Sequence, residues 1–264
     1  RTAPPAWVVR EAQVVEGLCD LQLKEYGTAA ALFRHLLSEP MDATTRAKVA
    51  FYLGETLTGL TQTSEAMQAY HDAIEADVQG PWGRMAHFGL GWSLFQQHRC
   101  QESLRAFEGY LNAPHAEADR QQPELLFAQG RCLLELGDDK AAIARLETLL
   151  RISPAHPLAV DAAISLAEAL ERQHRASEAT ALLAPLLRQP LSAPQRQQAG
   201  LRLGSLYLVQ GDGAKALEQF QRLQQSDEPE VRQASLNGQG DASLWLGQAE
   251  EAARLYKEAR AISP

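Results

Sequence analysis

Small residues recur along the chain at nearly constant intervals, each inside a stretch whose apolar positions follow the period of an amphipathic helix. The intervals are 37, 37, 39, 37, 37 and 36 residues, for Gly17, Gly54, Gly91, Gly130, Ala167, Gly204 and Gly240. Periods of roughly 20 to 50 residues are typical of solenoids and propellers. Because the helix formers Ala, Leu, Gln and Glu dominate the composition, the pattern favours an all-α solenoid.

Two further positions follow each small residue at a fixed distance. Twelve residues on there is a second small residue, at Ala29, Ala66, Ser103, Ala142, Ala179, Ala216 and Ala252. Four residues later there is a large one, at Phe33, Tyr70, Phe107, Leu146, Leu183, Phe220 and Tyr256. Residues four apart share a helix face. We therefore expect one helix pair to repeat seven times, with the small residue of the first helix letting the second helix approach closely.

This order, closed by a proline, resembles the tetratricopeptide repeat (TPR) pattern. The Leu-Gly pair of that pattern is matched by Leu53-Gly54, Leu90-Gly91 and Leu203-Gly204, and its closing proline by Pro154 and Pro264. The resemblance covers all 264 residues and implies a single domain, a right-handed α-solenoid of seven helix-turn-helix repeats with a period of about 37. The repeats are expected at about 10–46, 47–83, 84–122, 123–159, 160–196, 197–232 and 233–264.

The repeats are longer than the usual TPR period of about 34 residues. Elongated repeats with turns such as residues 153–157 are similar to those of bacterial cell-envelope TPR proteins, including outer-membrane assembly and cell-division lipoproteins. That likeness implies a periplasmic or outer-membrane-associated scaffold of an assembly or secretion complex. Many cytoplasmic members also have long repeats, so a regulatory or sensor module of a larger multidomain protein remains the alternative. Residue 1 is Arg, and we expect the chain to be an excerpt or mature fragment, in which any signal peptide, lipid anchor or membrane segment of the full gene product would not be visible.

Charge and composition argue against several functions. The chain has 25 Lys and Arg against 33 Asp and Glu, for a net charge of −8, and contains no basic run, which disfavours nucleic-acid binding. No stretch approaches the ~20 apolar residues of a membrane span. The three cysteines, Cys19, Cys100 and Cys132, are widely spaced and form no disulfide framework, so we expect buried free thiols.

The sequence offers no catalytic chemistry. No nucleophile motif, metal-ligand spacing or phosphate-binding loop is present, and the seven histidines contain no His-x-x-x-His pair. We therefore expect no enzyme activity, no cofactor and no metal, and a helical enzyme is the remote alternative. The carboxylate clamp of chaperone-associated TPR proteins, Lys and Asn on successive first helices, is also missing. The expected ligand is another protein or a peptide.

The TPR resemblance implies that first-helix positions 2, 5, 9 and 12 line a concave groove, if the small residue is counted as position 8. Position 5 is apolar in six of seven repeats, which favours helix packing. Repeat three differs, because four large residues share one stripe of its first helix: Met85, Phe88, Trp92 and Phe95. Phe51 and Phe127 occupy position 5 in the neighbouring repeats. Such a stripe is most often core, and a patch that receives an apolar anchor of a partner is the alternative.

The first helices of the next repeats are predominantly acidic, with Glu124, Arg131, Glu135, Asp161, Glu168, Glu171 and Arg172. A solvated surface is the ordinary explanation, but a partner with an apolar anchor followed by basic residues would suit both regions. The candidate groove therefore comprises Phe51, Met85, Phe88, Trp92, Phe95, Phe127, Arg131, Glu135 and Glu168.

The last predicted helix carries Leu255, Tyr256, Ala259 and Ile262, and no polar helix follows it to cover them, as one usually does in the TPR family. We expect that the natural protein continues, or that this uncapped C-terminal helix docks onto a partner or a second copy.

Overall fold

The computed structural model describes residues 5–112 and 122–262, and all regular structure in them is helical. The fourteen helices are α1 (Ala6–Gln22), α2 (Tyr26–Leu37), α3 (Ala43–Gly59), α4 (Thr63–Ala76), α5 (Pro81–Gln96), α6 (Cys100–Asn112), α7 (Gln122–Glu135), α8 (Asp139–Ile152), α9 (Ala159–Arg172), α10 (Ala176–Leu186), α11 (Ala193–Val209), α12 (Gly213–Gln221), α13 (Pro229–Trp245) and α14 (Ala249–Ile262). They form successive helix pairs of the TPR type, so the predicted all-α fold is confirmed. The predicted closing proline Pro264 and the interior of the longest inter-repeat segment, 113–121, lie outside the described residues.

Contacts divide the chain into two compact units, Arg1–Cys132 and Leu133–Pro264. In the first unit, α1 to α5 each pack against the next helix, and the first helices α1, α3 and α5 also lie side by side. In the second unit, α8 to α14 pack in the same way, with α9, α11 and α13 side by side. Each unit therefore presents a row of first helices. The division into seven repeats at the expected bounds stays a prediction.

The small residue of the first helix meets the large ring of its own pair. A Cβ placed on Gly54 would lie 2.6 Å from the Tyr70 ring, and one on Gly91 would lie 2.7 Å from the Phe107 ring. The same overlap, at 2.6 or 2.7 Å, occurs for Gly17 with Phe33, Gly204 with Phe220 and Gly240 with Tyr256. No side chain fits between these helices without moving the ring, which supports the close approach predicted from the sequence.

Two of these rings also contact a glycine of the following pair. A Cβ on Gly89 would lie 2.6 Å from the Tyr70 ring, and one on Gly238 would lie 2.5 Å from the Phe220 ring. Tyr70 and Phe220 are only 1% and 2% exposed. One side chain thus joins the two helices of its own pair and connects that pair to the next.

The turn inside every helix pair has the same backbone conformation. The residue at position 15 has a positive φ in all seven pairs: Lys24, Thr61, His98, Gly137, His174, Gly211 and Gly247, with φ between 58° and 81°. Glycine takes this conformation without strain, whereas Lys, Thr and His do so at some cost. Two of the seven histidines are therefore turn residues.

Polar caps fix where two of the longer helices begin. The Asp42 carboxylate accepts a hydrogen bond from the Thr45 backbone N–H at 2.9 Å, and Ser192 and Gln195 form a reciprocal capping box. α3 and α11 consequently begin at Ala43 and Ala193, a few residues before the repeat starts expected at 47 and 197.

Two sequence expectations about burial need correction. Cys100 and Cys132 are buried, but Cys19 is exposed on α1, so the prediction of burial is wrong for this residue. At the C-terminal end, Leu255 and Ala259 are buried against Leu236 in their own pair, so they do not form an exposed surface. Tyr256, by contrast, is only half-buried.

The contact between the glycine and the ring can be tested by adding one methyl group to the glycine. Gly91→Ala should lower the free energy of unfolding by about 1–3 kcal/mol, because the new Cβ overlaps the buried Phe107 ring. The control is Gly27→Ala in α2, where a Cβ meets nothing within 4 Å, and a helical alanine should stabilise by about 0.5–1 kcal/mol. Denaturant unfolding measures both variants, and equal changes in the two would contradict the packing described.

Candidate partner-binding face

The residues predicted for the groove fall in both compact units. Seven of them, from Phe51 to Arg131, belong to the first unit, and Glu135 and Glu168 belong to the second.

Phe51 lies in an aromatic cluster that the sequence only partly revealed. Phe51 is 7% exposed, and its ring centroid lies 5.2 Å from that of Tyr52 and 6.0 Å from that of Trp82, with 5.4 Å between the last two. Met85 is half-buried at the edge of this cluster. Phe51 is therefore core. Tyr52 and Trp82 are half-buried and were missed, because they lie outside the first-helix positions that line the groove in the TPR pattern.

The α5 stripe, defined as Phe88, Trp92 and Phe95, packs on a separate cluster. Phe88 lies 5.8 Å from Phe107 and 5.4 Å from Tyr110 between ring centroids. Trp92 lies 5.3 Å from Phe95, and Phe95 meets Phe127 edge-on at 6.1 Å. All three stripe residues pack against the buried cluster on one side yet stay half-buried. The stripe therefore contributes to the core and also exposes aromatic surface.

Glu55 occupies position 9 on α3, the position of Trp92 on the adjacent helix α5. Its Oε1 accepts a 2.7 Å hydrogen bond from the Tyr70 hydroxyl, which is also 3.2 Å from the Thr58 hydroxyl. Burial raises the pKa of the Glu55 carboxyl, and the bond from Tyr70 partly offsets that rise. Burial and the Glu55 charge hold the pKa of Tyr70 well above its usual value. The carboxyl group is thus held in place by the same ring that joins the helix pairs.

The last pair repeats this arrangement at equivalent positions. The Tyr256 hydroxyl donates a 2.6 Å hydrogen bond to Asp241, and burial, followed by this bond, raises the pKa of Tyr256 to about 12. An acid at position 9 therefore accompanies a tyrosine at position 24 in both pairs. This pairing is visible in the sequence once the two positions are compared.

Carboxylates of the second unit are engaged by arginines. Glu168 accepts hydrogen bonds from Arg172 at 2.6 Å and from Arg202 at 3.2 Å, and Glu171 accepts one from Arg202 at 2.8 Å. Arg202 was missed because it stands at position 6, outside the groove positions considered. It reduces the acidic character expected for this row of first helices. Glu135 is exposed at the end of α7.

Within 5–112 and 122–262, no group of three or more His, Cys, Asp or Glu side chains is placed to hold a metal ion. In the same part of the chain, no helix has the length and apolar content needed to cross a membrane. The half-buried His87 in α5 lies against Gly109, and burial, followed by the charge of His71, lowers its pKa.

A tetratricopeptide repeat family model matches residues 51–123, 127–190, 164–230 and 201–264. YrrB, described as a TPR protein with an unusual peptide-binding site, is 18% identical with a TM-score of 0.58, over 85% of this chain and 97% of that one. Pseudomonas aeruginosa pilF is 18% identical with a TM-score of 0.60, over 96% of both chains. A signal transduction ATPase with a TPR sensor from Pyrococcus horikoshii is 13% identical with a TM-score of 0.70, over 96% of this chain and 42% of that one. At these identities the likeness concerns the fold, and no curated protein matches the sequence significantly.

The Tyr70–Glu55 bond predicts a pH-dependent stability effect. A raised folded-state pKa of Glu55 favours the folded protein at low pH, and this contribution is lost as pH rises through that pKa. Tyr70→Phe removes the donor and should raise this pKa further, so the variant should lose about 1–3 kcal/mol at about pH 7 and clearly less near pH 4.

Denaturant unfolding at the two pH values measures the difference, with Tyr256→Phe as the matched control. Asp241 is exposed, so removing its tyrosine partner should cost less than removing that of Glu55. A Tyr70→Phe loss that is the same at both pH values would contradict the role assigned to the hydroxyl.

Proposed function

The chain belongs to the tetratricopeptide repeat family, and from this we propose that it is a non-catalytic scaffold that binds a partner peptide or helix along its row of first helices. The family shows a protein-interaction module in general terms.

The α5 stripe is the observation that carries the proposal. The close contact between the helices of this pair is made by Gly91 and Phe107, so it does not require Trp92. The half-buried Trp92 indole lies beside Phe95, on the helix that also carries the half-buried Met85, and aromatic and Met side chains provide adaptable apolar surface. Trp and other aromatic side chains dominate the binding energy of many protein interfaces.

The partner that this face suits best is a short amphipathic helix or an extended peptide with one large apolar anchor. Phe88, Trp92 and Phe95 lie along one helix at spacings of four and three residues, so they would meet apolar side chains repeated at a similar spacing. The likeness in fold to YrrB makes a peptide a sensible first probe. The carboxylates around Glu168 are already paired with arginine, so we place less weight on basic residues in the partner.

For the biological setting, we propose a bacterial envelope assembly or secretion complex, supported by the elongated repeats and the turn at residues 153–157. The alternative is a cytoplasmic regulatory or sensor module of a larger protein. The fold likeness to a TPR sensor that forms part of a longer chain supports this alternative. The full-length gene sequence separates them, since a signal peptide fits the first setting and an appended catalytic or DNA-binding domain fits the second.

Peptides selected from a phage-displayed random library test the binding face. The chain should enrich sequences with a large apolar anchor, and Trp92→Ala should weaken their binding by about tenfold or more, since a central aromatic anchor contributes about 2 kcal/mol. Fluorescence anisotropy with a labelled peptide measures the affinity.

The matched control is Trp7→Ala, which removes an indole that is 68% exposed on α1 and should leave the affinity unchanged. Both variants must melt like the parent chain. If no peptide is enriched, or if Trp92→Ala and the parent bind the selected peptide with equal affinity, the α5 stripe serves only in packing.

A further inference from the structure

Helix α1 carries an apolar stripe that is exposed, although two of its four positions are buried in every later pair. The α1 stripe is Val8, Ala12, Val15 and Cys19, which lie on one helix face, and all four are exposed. The later residues at the Ala12 position are all 3% exposed or less: Val49, Ala86, Leu125, Ala162, Ala199 and Ser235. The same holds at the Cys19 position for Thr56, Ser93, Cys132, Ala169, Leu206 and Ala242. The chain itself therefore shows that this face of a first helix is normally buried.

A second helix covers that face wherever the junction is described. α2 packs on α3, α4 on α5, α8 on α9, α10 on α11, and α12 on α13. The exposed face of α1 is thus complementary to the outer face of a second helix, because a second helix packs on this face in the later pairs.

Helix α14 exposes such a surface. The large residue at position 24 is at most 2% exposed in the six earlier pairs, at Phe33, Tyr70, Phe107, Leu146, Leu183 and Phe220. Its counterpart Tyr256 is half-buried, and Ala249, Ala253 and Arg260 on the same face of α14 are exposed. By contrast, Gly213 and Phe220 at the equivalent positions of α12 are buried. Among the described residues, α14 and α1 therefore leave open the two halves of one contact.

We propose that a second copy of this chain fills both faces, with α14 of one copy packed on α1 of the next, head to tail. The contact would repeat the junction that the chain makes between its own successive pairs. It does not depend on the partner-binding face proposed above.

The internal junctions specify which residues would meet. A Cβ on Gly213 would lie 3.3 Å from the Ala242 carbonyl and 3.0 Å from the Trp245 Cβ. The equivalent residues are Ala249 on α14 and Cys19 with Gln22 on α1. Ala249 of one copy would therefore lie beside Cys19 of the other.

Tyr256 would cover the middle of the α1 stripe. In the internal junction, the Phe220 ring faces Gly238, and the equivalent residues are Tyr256 and Val15. Although valine is larger than glycine, this position accepts bulk, because Phe33 stacks on Tyr52 in the first junction with 6.2 Å between ring centroids.

Charge complementarity supports the same pairing. Leu187 and Leu203 line one cleft at the junction of α10 and α11. The equivalent residues are Arg260 on α14 and Glu16 on α1, both exposed and opposite in charge. Two leucines that line a cleft inside the chain thus correspond to two opposite charges on different copies, which would favour the head-to-tail pairing over α1 against α1. Because the contact joins two different surfaces, it would produce rings or open chains rather than a symmetric pair.

Sedimentation velocity across a concentration series tests the association. The parent chain should exceed its monomer mass of 29.0 kDa as concentration rises. Glu16→Arg should weaken association by about fivefold or more, through loss of an ion pair and new repulsion, and adding Arg260→Glu should restore it. Glu108→Arg, the same charge reversal at an exposed residue of α6, is the control and should leave association unchanged.

Cysteine cross-linking tests the geometry. Ala249→Cys should form an intermolecular disulfide with Cys19 under mild oxidation, giving multiples of the chain mass on a non-reducing gel, because Cys100 and Cys132 are buried. Cys19→Ala in the same background should abolish the ladder, and Lys257→Cys, on another face of α14, should give little. A parent that stays monomeric at all concentrations, a charge swap that fails to restore association, or a ladder that persists without Cys19 would overturn the proposal.

Discussion

The close packing of one ring against glycine is the contact on which five of the seven helix pairs depend. Where the chain has Gly at position 8 and Phe or Tyr at position 24, the ring occupies the space that a Cβ would need, so the two helices approach to van der Waals distance. At Tyr70 and Phe220 the same ring also touches a glycine of the following pair. In each unit, one ring that contacts the glycines of two successive pairs therefore supports the stacking of those pairs.

Because that contact is made by two positions, the neighbouring positions of the first helix are free to change. Position 9 carries Glu55 in one pair, Trp92 in the next and Asp241 in the last, without altering the helix arrangement. Glu55 and Asp241 each accept a hydrogen bond from the tyrosine of their own pair, which connects a polar group of the first helix to the packing ring. Trp92 has no tyrosine partner of this kind in its own pair, and this makes the α5 stripe the most distinctive feature of the first helices in the first unit.

Spacing along the sequence was enough to predict the helix pairs, their order and the glycine contact, since all three follow from one period. Predictions that needed neighbours from another pair were less successful. Cys19 has the repeat position of the buried Cys132 but no described helix packed on it. Tyr52, Trp82 and Arg202 approach the candidate face from positions that the repeat pattern assigns to other roles. The left-handed turn at position 15 was also not predicted, because Lys24, Thr61, His98 and His174 do not have the sequence signature of glycine.

We propose that partners bind the first helices while the second helices serve packing. Hydrogen–deuterium exchange of the chain, with and without a selected peptide, measures this directly. Added protection is expected in α3 and α5, centred on the amides around Trp92, with exchange in α4 and α6 changed much less. Protection confined to α4 and α6, or absent from α5, would contradict it.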